Sequence, residues 1–152
     1  MAITSPESLA RSYAACRRVV RRSGSNLCAG FVWLPAAKRR AMHALYAFMR
    51  QTDDLADNPH PAHLRLGALV AWRAALERAL LGEFPPPPAA PALEDLAARG
   101  RDILPAVADA VRRFAIPPDH LRAVIDGVEM DLSRWRYETF EEIGRASCRE
   151  RV

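Results

Sequence analysis

Tyr46, Arg50, Asp53 and Asp57 follow one another at intervals of four, three and four residues. On an α-helix this spacing lines all four along one face. Met42, Leu45 and Met49 stand beside them and supply an apolar surface. Two carboxylates one turn apart can share divalent cations. Magnesium takes oxygen ligands and commonly uses one or two carboxylates, with phosphate and water filling its remaining positions. A guanidinium on the same face can bind phosphate oxygens directly. A simpler reading also fits the spacing: a solvated acidic helix end paired with Arg50, since many surface helices contain two aspartates at this interval. Like charges four residues apart cost a helix roughly 0.2–0.5 kcal/mol, and aspartate is a poor helix former. Arg50, three residues before Asp53 and four before Asp54, offsets part of that cost; a bound cation would offset more.

The elements that must position this face are helical nearly throughout. Ser5-Pro6-Glu7 reads as a helix start, with a capping serine and proline in the first turn. Leu9, Tyr13, Cys16 and Val20 then recur at helical spacing until Gly24. Residues 25–34 are apolar and short, and periodicity there does not separate helix from strand. Pro35 opens a helix that runs through Asp57 and stops near Asn58-Pro59. Pro61 to Leu81 reads as another, with Leu64, Leu66, Leu69, Trp72, Leu76 and Leu80 as its buried positions. Pro85 to Pro88 mark a stiff internal loop. A short helix is expected over Leu93–Ala98, a further one over Ile103–Phe114, and a last one over Asp119–Leu132 after Pro117-Pro118. No strand-like alternation and no internal repeat stand out. The expected fold class is all-α.

Composition bounds the remaining choices. The chain has 152 residues, 50% hydrophobic and 26% charged, with a formal net charge of +4. That suits one globular domain with a sizeable core. Lys38 is the only lysine, so the positive charge is nearly all arginine. A basic balance favours anionic substrates, nucleic acid or a membrane surface. Cys16, Cys28 and Cys148 form no CxxC pair, which fits a reduced cytoplasmic compartment. Met1 to Ser5 shows no basic stretch followed by an apolar core, so a secretory leader is not expected, and no uninterrupted apolar run reaches membrane-spanning length.

Several features carry less. Arg17-Arg18 and Arg21-Arg22 form a basic cluster with only Tyr13 as an aromatic neighbour, so nucleic-acid binding is not expected. The cluster reads as a solvated helix face, and is compatible with a peripheral contact to an anionic membrane. His60 and His63 flank Pro61 and lack partners for a tetrahedral metal set, so a surface turn is expected. Trp33, Trp72 and Trp135 are expected in the core or a cavity wall. Glu129 and Asp131 fall on different helix faces and are expected to be structural, or to contact arginine. Gly-rich phosphate loops and Ser/His/Asp nucleophile arrangements do not stand out.

The wider context of the carboxylate helix is distinctive. Leu34-Pro35, Arg39-Arg40-Ala41, Ala44-Leu45-Tyr46-Ala47-Phe48, Arg50, Asp53-Asp54 and Asp57 together closely resemble the signature of the squalene/phytoene synthase family. A second stretch, Gly127, Glu129-Met130-Asp131-Leu132 and Arg136-Tyr137 with Thr139-Phe140-Glu141, resembles that family's downstream segment. The resemblance covers about Ser8 to Glu141. It implies an all-α, isoprenoid-synthase-type domain around a central cavity. It also implies a transferase that joins two prenyl diphosphates, of farnesyl or geranylgeranyl type, head to head through a cyclopropyl diphosphate. Squalene- or phytoene-type products would serve carotenoid, squalene or hopanoid synthesis. By the same resemblance Asp53 and Asp57 are the magnesium-binding, catalytic aspartates, Tyr46 and Arg50 contact substrate, and Ser25 and Asn26 contact diphosphate. NADPH is implied only where the product is reduced.

The sequence departs from the family pattern in two places. Leu27, Cys28 and Ala29 stand where the family usually has aromatics, which removes bulk and π-stabilisation of a cation. The family's other aspartate-rich helix has no counterpart after Tyr137. Residues 1–141 are therefore expected to be the N-terminal part of such a domain, inactive on their own. Thr139 and Glu142 form a capping box, yet no periodic helix follows. Residues 142–152 match one frame of a common sequencing-adapter DNA and are expected to be a non-native tail. The alternative of another class is a non-catalytic helical module that binds anionic partners through its arginine clusters.

Overall fold

In the computed structural model, residues 5–24, 26–84 and 94–133 are described, and they form helices joined by short turns. Helix α1 spans Pro6–Ser23, a 3-10 helix spans Asn26–Trp33, and α2 spans Ala36–Ala56. Helices α3, α4 and α5 span Ala62–Leu80, Glu94–Phe114 and Pro118–Ser133. The all-α expectation is met. Ser25, the Pro85–Pro88 loop, Trp135, the capping box at Thr139 and the expected tail over 142–152 lie outside the described residues.

The helix ends follow the sequence signals. The Ser5 side chain accepts from the Ser8 amide at 3.2 Å and caps α1. Gly24 closes α1 with φ +61°, a left-handed conformation that glycine adopts without a Cβ clash. The apolar stretch before Leu34 resolves as a 3-10 helix. At the end of α4 the Ile116 amide reaches the Val111 carbonyl at 3.0 Å, and Ala115 takes φ +49° to allow it.

One expectation is corrected in α4. The two separate helices expected over 93–98 and 103–114 are one continuous helix that passes through Gly100 and Pro105. Proline lacks an amide and pushes on the preceding turn. Here the next amide, Ala106 N–H, donates to the buried Ser12 hydroxyl of α1 at 2.9 Å. Ile103, Leu104, Ala106, Val107, Ala108 and Ala110 are all buried, so burial holds the helix together across the proline.

Helices α1, α2 and α4 pack against one another, and α3 and α5 close over α2. The core centres on Phe48 of α2 and Trp72 of α3, whose rings stack at 5.4 Å. The Trp72 indole donates to Thr52 Oγ1 at 3.0 Å, and Thr52 in turn donates to the Phe48 carbonyl at 2.9 Å. A Cβ on Gly100 would stand 2.7 Å from Trp72 Cζ3, so α4 approaches the indole only because residue 100 has no side chain. Of the buried positions expected in α3, Leu69, Trp72 and Leu76 are buried; Leu66 and Leu80 are half-buried, and Leu64 is exposed. Trp33 is the larger correction: it is 90% exposed. Cys16 is fully buried and its thiol is pushed up to about 12 by burial, which fits a structural residue rather than a reactive one. No helix among the described residues is long and apolar enough to cross a membrane.

Between α3 and α5, Arg73 pairs with Asp126 at 2.6 Å and Glu129 at 3.0 Å. Arg122 pairs with both carboxylate oxygens of Glu77 at 2.7 Å. Glu129 is thus an arginine contact, as expected. These pairs are partly exposed, so they set the helix orientation more than they stabilise the fold.

Two outcomes follow from this packing. Replacing Gly100 by valine overpacks Trp72 and adds a β-branched side chain to a helix, which should cost about 2 kcal/mol in urea unfolding. (Alanine there would recover about 1 kcal/mol of helix propensity and blur the effect.) The second concerns His43, whose pKa is lowered from 6.5 by burial and by Arg39, Arg17 and Arg21. The unfolded chain therefore binds more protons than the folded one once pH falls through about 6.5, and stability should decline there. Glu77, held low by Arg122, acts only below about 4.5 and leaves this window clear. Unfolding free energies at pH 5.5 and 7.5 should differ in wild type, and the difference should shrink in His43→Gln.

Candidate functional site

The 3.6-residue period of α2 divides it cleanly. Ala44, Ala47, Phe48, Gln51, Thr52 and Leu55 are buried against α1, α3 and α4. Arg50, Asp53 and Asp57 are exposed, and Tyr46 and Asp54 are half-buried. Burial of one face thus presents the other face to solvent. Asp57 ends the helix: its amide still donates to the Asp53 carbonyl at 2.8 Å, and its backbone stays near helical values at φ −81° and ψ −1°. The two aspartates therefore keep the one-turn spacing that the sequence implies.

The charge order along α2 works against the helix. A helix carries partial positive charge at its N-terminus and partial negative charge at its C-terminus. Lys38, Arg39 and Arg40 lie near the N-terminal end, while Asp53, Asp54 and Asp57 crowd the C-terminal end. The first turn holds no acidic residue and the last turn no basic one. Both groups reinforce the macrodipole instead of neutralising it. Arg50 and Asp54 form an ion pair at 2.9 Å, four residues apart. At 50% and 32% side-chain exposure this pair is worth under about 1 kcal/mol. Arg50 thus pairs with Asp54, off the line that joins Asp53 to Asp57.

One residue that the sequence reading passed over belongs to this end. Arg65, in the first turns of α3, donates through Nη1 to the Ala56 carbonyl at 2.8 Å. It caps the last turn of α2 and brings a guanidinium to the negative helix end. Its Nε is buried and has no hydrogen-bond partner. The available signal was a lone arginine soon after the Asn58–Pro61 turn, and helical periodicity does not reveal contacts across a turn. The turn itself is built locally: the His60 amide donates to Asn58 Oδ1 at 3.2 Å. Among the described residues no group of three or more His, Cys, Asp or Glu side chains is placed to hold a metal ion.

The other candidate residues are placed less fully. Asn26 begins the 3-10 helix, and Ser25 lies outside the described residues. The 3-10 helix is joined to α2 by the Phe31–His43 ring contact at 6.0 Å and by Arg39 Nη1 donating to the Val32 carbonyl at 3.2 Å. A cleft of about 940 Å³ lies between α1, α3 and α4, with Gln51, Leu55 and Trp72 in its lining. It opens on the face of α2 opposite Asp53 and Asp57, by the helical period. The carboxylates therefore do not line it.

Comparison with known proteins adds to this geometry. A model of the squalene/phytoene synthase family matches residues 20–145. The 15-cis-phytoene synthase of Synechococcus elongatus is 34% identical over 136 residues, which is 90% of this chain and 39% of that protein. The 15-cis-phytoene synthase of Synechocystis is 35% identical over 136 residues, 90% of this chain and 36% of that protein. Phytoene synthase 2, chloroplastic, of Solanum lycopersicum is 30% identical over 136 residues, 89% of this chain and 39% of that protein. The chain thus spans about two fifths of the length of these relatives.

The Arg65 cap is open to direct measurement. Arg65→Met should free the Ala56 carbonyl and lower unfolding stability by about 1–2 kcal/mol, the range for a hydrogen bond from a charged group. Unchanged stability would mean that the cap contributes nothing.

Proposed function

The chain belongs to the squalene/phytoene synthase family, a family of prenyltransferases, and from that premise we propose that its α2 face is the diphosphate-binding half of a head-to-head prenyl transferase site. The line formed by half-buried Tyr46 and exposed Arg50, Asp53 and Asp57 is the observation that carries this reading. The substrates are prenyl diphosphates of farnesyl or geranylgeranyl type, and the product is of phytoene or squalene type, for carotenoid or hopanoid synthesis.

The residues fit magnesium in one specific sense. Two carboxylates gathered one turn apart at the end of a helix offer hard oxygen donors on one face. They do not form a closed cage. That suits an ion held by one or two carboxylates, with phosphate and water as its other ligands. Asp53 and Asp57 would hold it. When bound, magnesium neutralises the charge that develops on the departing diphosphate.

The chain's own residues supply the rest. Arg50 is exposed, and its pair with Asp54 is weak enough to exchange for phosphate oxygens. Tyr46 places a hydroxyl one turn before Arg50. Met49, 37% exposed, and the half-buried Met42 and Leu45 offer apolar surface for the start of a prenyl tail. Ser25 and Asn26 would contact diphosphate, as the family resemblance implies. NADPH enters only if the product is reduced. Residence in the cytoplasm with a peripheral membrane contact belongs to the same reading, because products of this class are lipids.

In a full-length family member carrying this segment, Asp53→Asn and Asp57→Asn should each lower magnesium-dependent diphosphate release by about 100-fold or more. Unchanged release would overturn the assignment and favour a non-catalytic module. The 152-residue chain alone should release no diphosphate from a prenyl diphosphate; measurable magnesium-dependent release by this chain would refute that.

A further inference from the structure

Helix α3 is fastened to α2 at two points. The Trp72 indole donates to Thr52 Oγ1 at 3.0 Å, and Arg65 Nη1 donates to the Ala56 carbonyl at 2.8 Å. Arg65 and Trp72 are seven residues apart in the sequence, so they share one face of α3 across two turns. Thr52 and Ala56 are four residues apart, so they share one face of α2, and both are buried. Asp53 and Asp57 are the next residues in the chain after these two points, and both are exposed. Each helical step turns a side chain by about 100°. Holding residues 52 and 56 against α3 therefore directs residues 53 and 57 away from it, one turn apart.

The two fastenings differ in kind. Trp72 is held by the core, with its ring stacked on Phe48. Arg65 belongs to the turn: its own amide donates to the Pro61 carbonyl at 3.2 Å, and its guanidinium reaches back across Asn58–Pro61 to α2. The last carbonyls of a helix have no partner within it, and helix ends fray. The turn that Arg65 holds is the one that the Asp57 amide closes on the Asp53 carbonyl at 2.8 Å. Holding it leaves Arg65 Nε buried and without a hydrogen-bond partner. A buried, unpaired donor is costly. An apolar residue at this position would avoid that cost and lose only the bond to Ala56. The arginine is thus suited to the end of α2 rather than to packing.

We propose that Arg65 is a positioning residue for the aspartate pair: by holding the Ala56 carbonyl it keeps Asp57 in the last turn of α2, where it can share one divalent cation with Asp53. The proposal rests on the reading of Asp53 and Asp57 as magnesium ligands. The role requires no contact with the ion or the diphosphate, because Arg65 acts through the backbone of the residue before Asp57. Its charge works in the opposite direction. A guanidinium near a metal site repels the ion. An arginine that acted only as a charge would weaken metal binding, and its removal would tighten it. Positioning predicts a loss on removal, so the sign of the change separates the two roles.

The test is titration of the 152-residue chain with Mn2+, an oxygen-seeking ion that broadens the NMR signals of nearby amides, with Mg2+ as competitor. In wild type the Asp53 and Asp57 amides should broaden first, and Asp53→Asn and Asp57→Asn should each weaken the binding. Arg65→Met should lower the affinity by about tenfold, the low end of the range for groups that orient metal ligands. Hydrogen exchange at the Asp57 amide should speed up in the same variant. Arg65→Lys, which keeps a donor for the Ala56 carbonyl, should recover most of both. Gly100→Val destabilises the fold from α4 and should change neither, so lost stability alone does not imitate the effect. Unchanged or tighter Mn2+ binding by Arg65→Met, or an equal loss in Gly100→Val, would overturn the role of Arg65 and leave the aspartate assignment standing. Binding that ignores both Asp53→Asn and Asp57→Asn would overturn that assignment, and the proposal with it.

Discussion

Much of this fold depends on where the Trp72 indole sits. It stacks on Phe48, donates to Thr52 and lies against the bare backbone of Gly100. Three helices meet at one ring: α2 through Phe48 and Thr52, α3 through Trp72 itself, and α4 through Gly100. The hydrogen bond to Thr52 also fixes the rotation of α2 about its axis, because an indole N–H left unpaired in a core is costly. With Thr52 turned inward, helical geometry turns Asp53 outward. The exposure of the carboxylate face is therefore set from the opposite side of the helix.

That arrangement holds a locally unfavourable sequence in helical form. Basic residues at the start of α2 and acidic ones at its end both interact unfavourably with the macrodipole. Packing against α1 and α4 outweighs this, and Arg65 reaches back from α3 to the last turn. Features that conflict with local rules, yet are upheld by their surroundings, are common at functional sites.

The readability of the chain varied with the range of the forces involved. The start of α1, its end at Gly24 and the limits of α2 were legible because capping and proline effects are local. The linear line-up of Tyr46, Arg50, Asp53 and Asp57 was legible because it needs only the helical period. Continuity of α4 was not, because the Ser12–Ala106 hydrogen bond joins residues 94 positions apart. Arg65 escaped notice for a similar reason: its partner lies across a turn, on another helix. Trp33 was misplaced because large apolar residues are usually buried, and nothing in the periodicity of residues 25–34 said which side faces out. The resemblance of the Leu34–Asp57 stretch to a known family carried the chemistry further than spacing did.

The opposed charges of α2 also bear on the order of assembly. An isolated segment with this charge order has little reason to nucleate helix, since nucleation is already costly and both ends oppose it. Helix α2 must then become helical on docking, after partners such as α1 and α4 offer it a surface. Until that happens, Asp53 and Asp57 are not one turn apart, and their carboxylates have no shared geometry. Under the proposed assignment of Asp53 and Asp57, a partly folded chain would be blind to magnesium, and metal capture would be a late event that reports completed assembly.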